Sequence, residues 1–518
     1  MKANTIIRRF GRFAACVAML AAAACTGNFE DYNTKPFRPS DDDLNGDNVG
    51  VGILFPAMME FVTHFQVNAS QMHDVLVADE LGGYASAVKS YQGQNIATYN
   101  PSDKFNDYIF EQTFANFYGN YFKVETQTGG EGPVYQLARI LRVAAMLRVP
   151  YSKMQNGTFS VPYDSQRDVY MAMIDDLDAA METLYTFASA GDGILMRDFD
   201  ISSFKGDSRL WVSFANTLKL RMAIRMSGVE PEARRIAEEA VRDMATYGLI
   251  DANAENLSFS SDSRQNPFYT QATSTSWQDL RSNASIVMYM NAYEDPRRAS
   301  YFSKSGYDGI YVGVRAGIQN VTPTDYATYS YPLFAEKDPV PVMYASESWF
   351  LRAEGALLGW TMGDTAENLY NTGVKTSLEL WGNGSSYETY IASETAPALS
   401  YADPRNKHNV SDFGTAVSVK WADDGNELER IITQKWIANH MIGHEAWADV
   451  RRTGYPRLLQ VVNNLSGGMW GNVDSSKGMR RLHYPQSEYD NNRENVLRGV
   501  ELLGGSDLHG TDVWWAKK

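Results

Sequence analysis

The sequence predicts a mainly α-helical fold, with helical hairpins forming a scaffold and a large irregular, loop-rich half set into it. Three observations predict it. Apolar residues recur at spacings of three and four in several windows between Pro133 and Gly248, and again between Ser346 and Gly382. The last two windows are separated only by Thr361 to Gly363, a link so short that the two helices must pack antiparallel. Long stretches rich in Tyr, Ser, Asn, Thr and Gly, above all Asp251 to Val342, show no sustained period.

The chain opens on an address. Lys2, Arg8, Arg9 and Arg12 form a basic start, and Phe13 to Ala24 then runs apolar and small. That run is too short to span a bilayer and has the layout of a secretory signal, 1–24. Ala22-Ala23-Ala24-Cys25 resembles a bacterial lipobox, which implies lipidation at Cys25 and attachment to the outer membrane through that anchor. Cys16 and Cys25 are the only cysteines, so the body has neither a disulfide framework nor a thiolate metal site. The polar stretch 25–48 reads as a flexible tether. Asp41, Asp43, Asn45 and Gly46 match the first half of a calcium loop, but Gly52 stands where the closing Glu is needed, so an acidic linker is the better reading.

The body, 49–518, is expected as one domain, with scaffold over about 49–250 and 343–456 and a variable insert over about 251–342. Val134, Leu137, Leu141, Ala144 and Leu147 mark a first helix, and Val169 to Leu184 a second, capped by Ser165. Phe214, Leu218 and Met222 mark a third. Pro231 opens a fourth, which Gly248 stops. Phe350 to Leu358 form one arm of a hairpin of the tetratricopeptide kind, with Ser346 as its expected cap. Leu369 to Trp381 form the other, with Asp364 as cap and Gly382 as stop. A last helix is expected from Glu427 to Gly443. The insert has one helical piece, near Ile286 to Asn291, and the tail after Pro456 reads as irregular. Irregular polar segments on a helical scaffold are where binding loops are expected.

A hydrophobic content of 44% supplies a real core. The net charge of −15 opposes a nucleic-acid partner, because phosphate backbones need clustered Lys and Arg. Glu347 and Glu354 are seven apart on one helix, which is not the arrangement of a glycosidase pair across a scissile bond. His440 and His444 have metal-compatible spacing but lack the zinc-protease order, so core histidines are expected, with no metal or other cofactor. Arg451 and Arg452 are expected to pair with Glu445 or Asp449 and fix a helix end.

Five segments in order carry a family resemblance: CTGNFEDYNT from Cys25, YEDPRRASYF at 293–302, ASESWFLRAEGALLGW at 345–360, ITQKWIANHMIGHEAWADVRRTGYPRL at 432–458 and RLHYPQSEYDNN at 481–492. Together they resemble the SusD/RagB family of nutrient-binding lipoproteins. The resemblance implies a helical, tetratricopeptide-like protein exposed at the outer-membrane surface. It further implies a lid on a SusC-like TonB-dependent barrel transporter, binding oligosaccharide or peptide and catalysing nothing. The competing readings are a surface glycan hydrolase and a helical-repeat adhesin.

The ligand residues expected from type and place lie in the polar loops. Sugar C–H faces stack on rings, and sugar hydroxyls seek amides and charged groups. Tyr84, Tyr91 and Gln92 flank one loop, Tyr269, Trp277, Arg281 and Asn283 another, and Tyr307 and Tyr311 a third.

Overall fold

The computed structural model describes residues 49–91, 94–146 and 160–517. The signal, Cys25, the tether with its partial calcium loop, and Gln92 lie outside the described residues. The chain divides into a unit up to Gly52, described only as the helical turn Val49–Gly52, and a unit from Ile53 onward. About 52% of the structure is helical, and its strands occur only as small pairs. No helix among the described residues is long and apolar enough to cross a membrane.

Helices α1 (Gly132–Met146), α2 (Gln166–Ala190), α3 (Ser208–Arg225) and α4 (Ala233–Arg242) pack each against the next. Their apolar periods bury one face, as in the run Met173, Leu177, Ala180, Leu184 of α2. Ser165 caps α2 as expected, its hydroxyl accepting from the Asp168 N–H at 3.1 Å. The insert holds α5 (Pro267–Thr273) and α6 (Ala284–Ala292), joined by loops to short strands. Strand β1 (Ala85–Ala87) pairs antiparallel with β3 (Leu280–Ser282), and β2 (Leu257–Phe259) with β4 (Val340–Met343).

Helices α7 (Ala345–Leu357) and α8 (Ala366–Leu380) form the expected hairpin. Its caps differ by a residue or two from expectation. Tyr344 stands at the α7 start, and Ser346 lies inside the helix. At α8 the Thr365 hydroxyl accepts from the Asn368 N–H at 3.2 Å, while Asp364 accepts from the Thr365 N–H at 2.7 Å. A β5 (Ala398–Tyr401) and β6 (Val410–Thr415) ribbon follows.

The expected helix 427–443 is instead two. α9 (Glu427–Ala438) stops, the chain turns through Met441 at φ 62°, and α10 (Gly443–Thr453) begins. The turn exists because α10 starts against the π-helical segment Gln71–Asp79. A side chain at Gly443 would sit 2.4 Å from backbone atoms of Ala78 and Asp79. Gly443→Ala is therefore expected to cost about 1–3 kcal/mol by overpacking. Denaturant midpoints check this, and an unchanged midpoint would contradict the contact. The tail is more ordered than expected, with α11 (Gln486–Asn491) and α12 (Arg493–Leu503).

Buried ion pairs lock α3, α7, α9 and α10 together. Arg221 donates to both oxygens of Glu347 at 2.6 and 2.8 Å, and Asn439 donates to Glu347 at 3.0 Å. Arg225 pairs with Glu445, Arg452 with Glu354 and Asp449, and Lys435 with Asp449. The two glutamates seven apart on α7 are thus scaffold anchors. Arg452 meets Asp449 as expected. Arg451 has no carboxylate partner among the described residues and instead lies over the rings of Trp447 and Trp515 at 3.6 and 4.7 Å. A cavity of about 300 Å³ lined by Arg221, Arg225 and Glu445 lies in this scaffold.

Candidate ligand-binding face

The β1–β3 ribbon brings two distant loops to one place. Its register pairs Ala87 with Leu280, and the ladder extends as the Val88 N–H donates to the Asp279 carbonyl at 2.8 Å. The loop after β1 therefore runs beside the loop before β3, so Lys89 and Tyr91 come beside Trp277 and Gln278. Tyr91 donates to Asp279 Oδ2 at 3.2 Å, and Gln71 donates to the same oxygen at 2.6 Å. Burial raises the Asp279 carboxyl above its ordinary range, opposed by Lys89 and by these donors. The Lys89 ammonium lies 5.8 Å from the Tyr91 ring centre. Tyr91 and Gln278 both take positive φ, 43° and 48°, a conformation that non-glycine residues adopt at a cost. Two such residues at one ribbon end mark a place where loop shape is held against local preference.

A second turn carries Tyr307. Asp308 and Gly309 have φ 51° and 68°, the succession that a type I′ hairpin turn requires. The returning strand is bonded into the same ribbon: Ser330 N–H donates to the Val312 carbonyl at 3.0 Å, and Ser282 N–H to the Ser330 carbonyl at 2.9 Å. The Tyr307 ring meets Tyr329 edge to face at 5.5 Å, and Tyr329 meets Tyr326 at 4.9 Å. Asp403 accepts from the Tyr329 hydroxyl, and the Arg405 guanidinium lies 5.2 Å from the Tyr326 ring.

Of the expected ligand residues, Tyr91, Tyr269, Trp277, Tyr307 and Tyr311 keep part of their surface exposed. Tyr91 and Trp277 stand on the two loops that meet at the ribbon end, the Tyr91 ring edge-on to Phe105 at 5.7 Å, and Tyr307 stands on the bonded neighbouring turn. Tyr269 lies on α5, and Tyr311 lies under the Arg298 guanidinium at 5.3 Å. Tyr84, Arg281 and Asn283 are buried and have no surface to offer a ligand. Tyr84 stacks on Trp436 at 5.8 Å and donates to its carbonyl at 2.6 Å. Arg281 donates to the carbonyls of Tyr326, at 2.9 Å, and Leu280, at 2.6 Å, so it struts β3 against the 326–331 segment. Asn283 caps α6 through the Ser285 N–H at 2.8 Å and donates to the Ala85 carbonyl at 3.1 Å. Expectation passed over Lys89, Asp279 and Tyr331, the last half-buried with Arg281 5.9 Å from its ring centre. Its signal was the run YATYSY at 326–331.

His440 is buried and stacked on Tyr301 at 4.3 Å, and His444 faces Asp74 at 3.5 Å. Among the described residues no group of three or more His, Cys, Asp or Glu is gathered as a metal site.

The model of the family described as Susd and RagB outer membrane lipoprotein matches residues 31–516. The chain belongs to the SusD-like family. A chitin-binding SusD homologue from Flavobacterium johnsoniae is similar at 35% identity and a TM-score of 0.84, over 90% of this chain and 99% of that one. A SusD homologue from Bacteroides uniformis is 37% identical with a TM-score of 0.83, over 91% of this chain and 100% of the other. A SusD-like protein from Bacteroides thetaiotaomicron is 37% identical with a TM-score of 0.81, over 90% and 99%. No curated protein matches the chain.

The resembling segments of this SusD-like chain are structural. In 293–302, Arg297 is fully buried between Asp295, Ser377 and Gln434. In 481–492, Glu488 accepts from the Tyr163 hydroxyl at 2.7 Å, and Tyr489 donates to Asp507 at 2.8 Å.

Proposed function

We propose that this SusD-like chain is a non-catalytic, cell-surface binding subunit. It is anchored through Cys25 and captures oligosaccharide for a TonB-dependent barrel transporter. The observation that carries the reading is the ribbon end whose two adjacent loops carry Tyr91 and Trp277, with Tyr307 and Tyr331 on bonded neighbouring segments. Half-exposed rings offer stacking surfaces for sugar C–H faces, and Lys89 and Gln278 offer polar groups for hydroxyls. The chitin-binding relative supports glycan over peptide. Asp279, tied to Tyr91 and Gln71, serves here to hold a ring rather than to work as one of a hydrolase pair.

Calorimetry against chito-, malto- and xylo-oligosaccharides and against peptides, with product followed in the same tubes, tests this. One glycan class is expected to bind saturably without product. Trp277→Ala is expected to weaken it by about tenfold or more, the equivalent of one lost stacking contact. Peptide-only binding, turnover, or full affinity in Trp277→Ala would count against the reading.

A further inference from the structure

Apart from the aromatic face, a cavity of about 570 Å³ lies between the end of the π-helical segment, the C-terminal turn of α10 and the loops at 454–461 and 475–480. Its size suits one or two sugar rings. Four cations line it, Arg451, Arg457, Lys477 and Arg480, against two acids, Glu80 and Asp512. Arg480 is balanced by Asp512 at 2.5 Å, and Arg457 faces Glu429 at 3.7 Å. Arg451 has no carboxylate partner among the described residues, and Lys477 is exposed with none. The lining is thus positive in a chain whose net charge is −15.

Glu80 stands at the wall of this cavity. Only 4% of it is exposed. Its Oε2 accepts from the Ala87 N–H at 3.0 Å, while its buried Oε1 has no hydrogen-bond partner among the described residues. Burial lifts this carboxyl to about 8, against the pull of the Ala87 N–H.

We infer that this cavity is a second binding site, for a small organic anion of sugar size that presents a carboxylate. The carboxylate meets Arg451 and Lys477. The site is independent of the aromatic face, so the two readings fail separately.

Titration of the full chain, purified in detergent, with D-glucuronate, D-glucose and inorganic sulfate tests it. Saturable glucuronate binding is expected, weakened about tenfold by Lys477→Glu, a reversal of charge at an exposed residue. It should be weakened further by Arg451→Gln and left intact by Trp277→Ala. Glucose is expected to give no heat that Lys477→Glu alters. If Arg451→Gln does not fold, Lys477→Glu still decides. No glucuronate binding, binding indifferent to Lys477→Glu, or sulfate binding as tight as glucuronate would each overturn the inference.

Discussion

Replacing Arg297 by Ala is expected to destabilise the protein by about 3–5 kcal/mol, because it strands a buried charge. Arg297 and Asp295 are both wholly buried and paired at 2.6 Å. The guanidinium also reaches Ser377 on α8 and Gln434 on α9, at 2.9 Å each, and Tyr390 donates to Asp295 at 2.6 Å. This one side chain therefore ties the middle of the insert to two scaffold helices. Without it, Asp295 keeps Tyr390 but loses its counter-charge. Adding Asp295→Asn should recover part of the loss, because the stranded charge disappears. Denaturant unfolding of the single and double variants measures both. A double variant no more stable than Arg297→Ala would mean that packing, not charge, sets the cost.

The second large effect is acid lability. Burial holds His440 down at about 3, and burial with His509 and Arg481 nearby holds His483 down at about 3. His509 is held at about 4 by burial and Arg481. His483 and His509 meet ring nitrogen to ring nitrogen at 2.8 Å, with Trp470 stacked on His483 at 3.4 Å. Each folded value lies below the unfolded one, so between them only the unfolded chain takes up protons. The stability these histidines contribute is complete above pH of about 6.5 and is lost as pH falls toward their folded values. At pH 5 each costs about 2 kcal/mol. The depressed carboxyls of Glu445 and Asp449, stabilised as anions by arginine and lysine against the cost of burial, add to the loss at lower pH. Glu80 runs the other way: raised to about 8, its contribution is whole below the ordinary carboxyl value of 4.5 and is lost as pH rises from there to 8. Thermal midpoints from pH 4 to 9 should fall steeply below 6.5. Glu80→Gln should remove that loss between pH 4.5 and 8 and leave the histidine-driven fall below 6.5 in place. A midpoint level down to pH 4 would contradict this.

What could be read from the chain follows from range. Helices α1 to α4 and the α7–α8 hairpin were legible because their signals are local: a period, a cap at Ser165, a stop at Gly382; Gly248 instead ends the separate turn Met244–Tyr247, α4 having closed at Arg242. The break before α10 was not, since it depends on Gly443 meeting Ala78 and Asp79, more than 360 positions away. The same limit divides the candidate face. Tyr91, Trp277 and Tyr307 stand out as rings in polar loops, and remain half-exposed. Tyr84, Arg281 and Asn283 sit in the same loops, yet a three-residue ribbon turns them inward. A strand that short shows no alternation, and its pairing of Ala85 with Ser282 leaves no trace in either segment alone.

The central claim is capture of sugar by the aromatic face without cleavage. A crystal structure of the protein soaked with the oligosaccharide selected by calorimetry tests it most directly. The account predicts intact sugar with a ring face stacked on Trp277 or Tyr91 and hydroxyls within reach of Lys89 or Gln278. Sugar bound elsewhere with this face bare, or a cleaved product on it, would contradict the account.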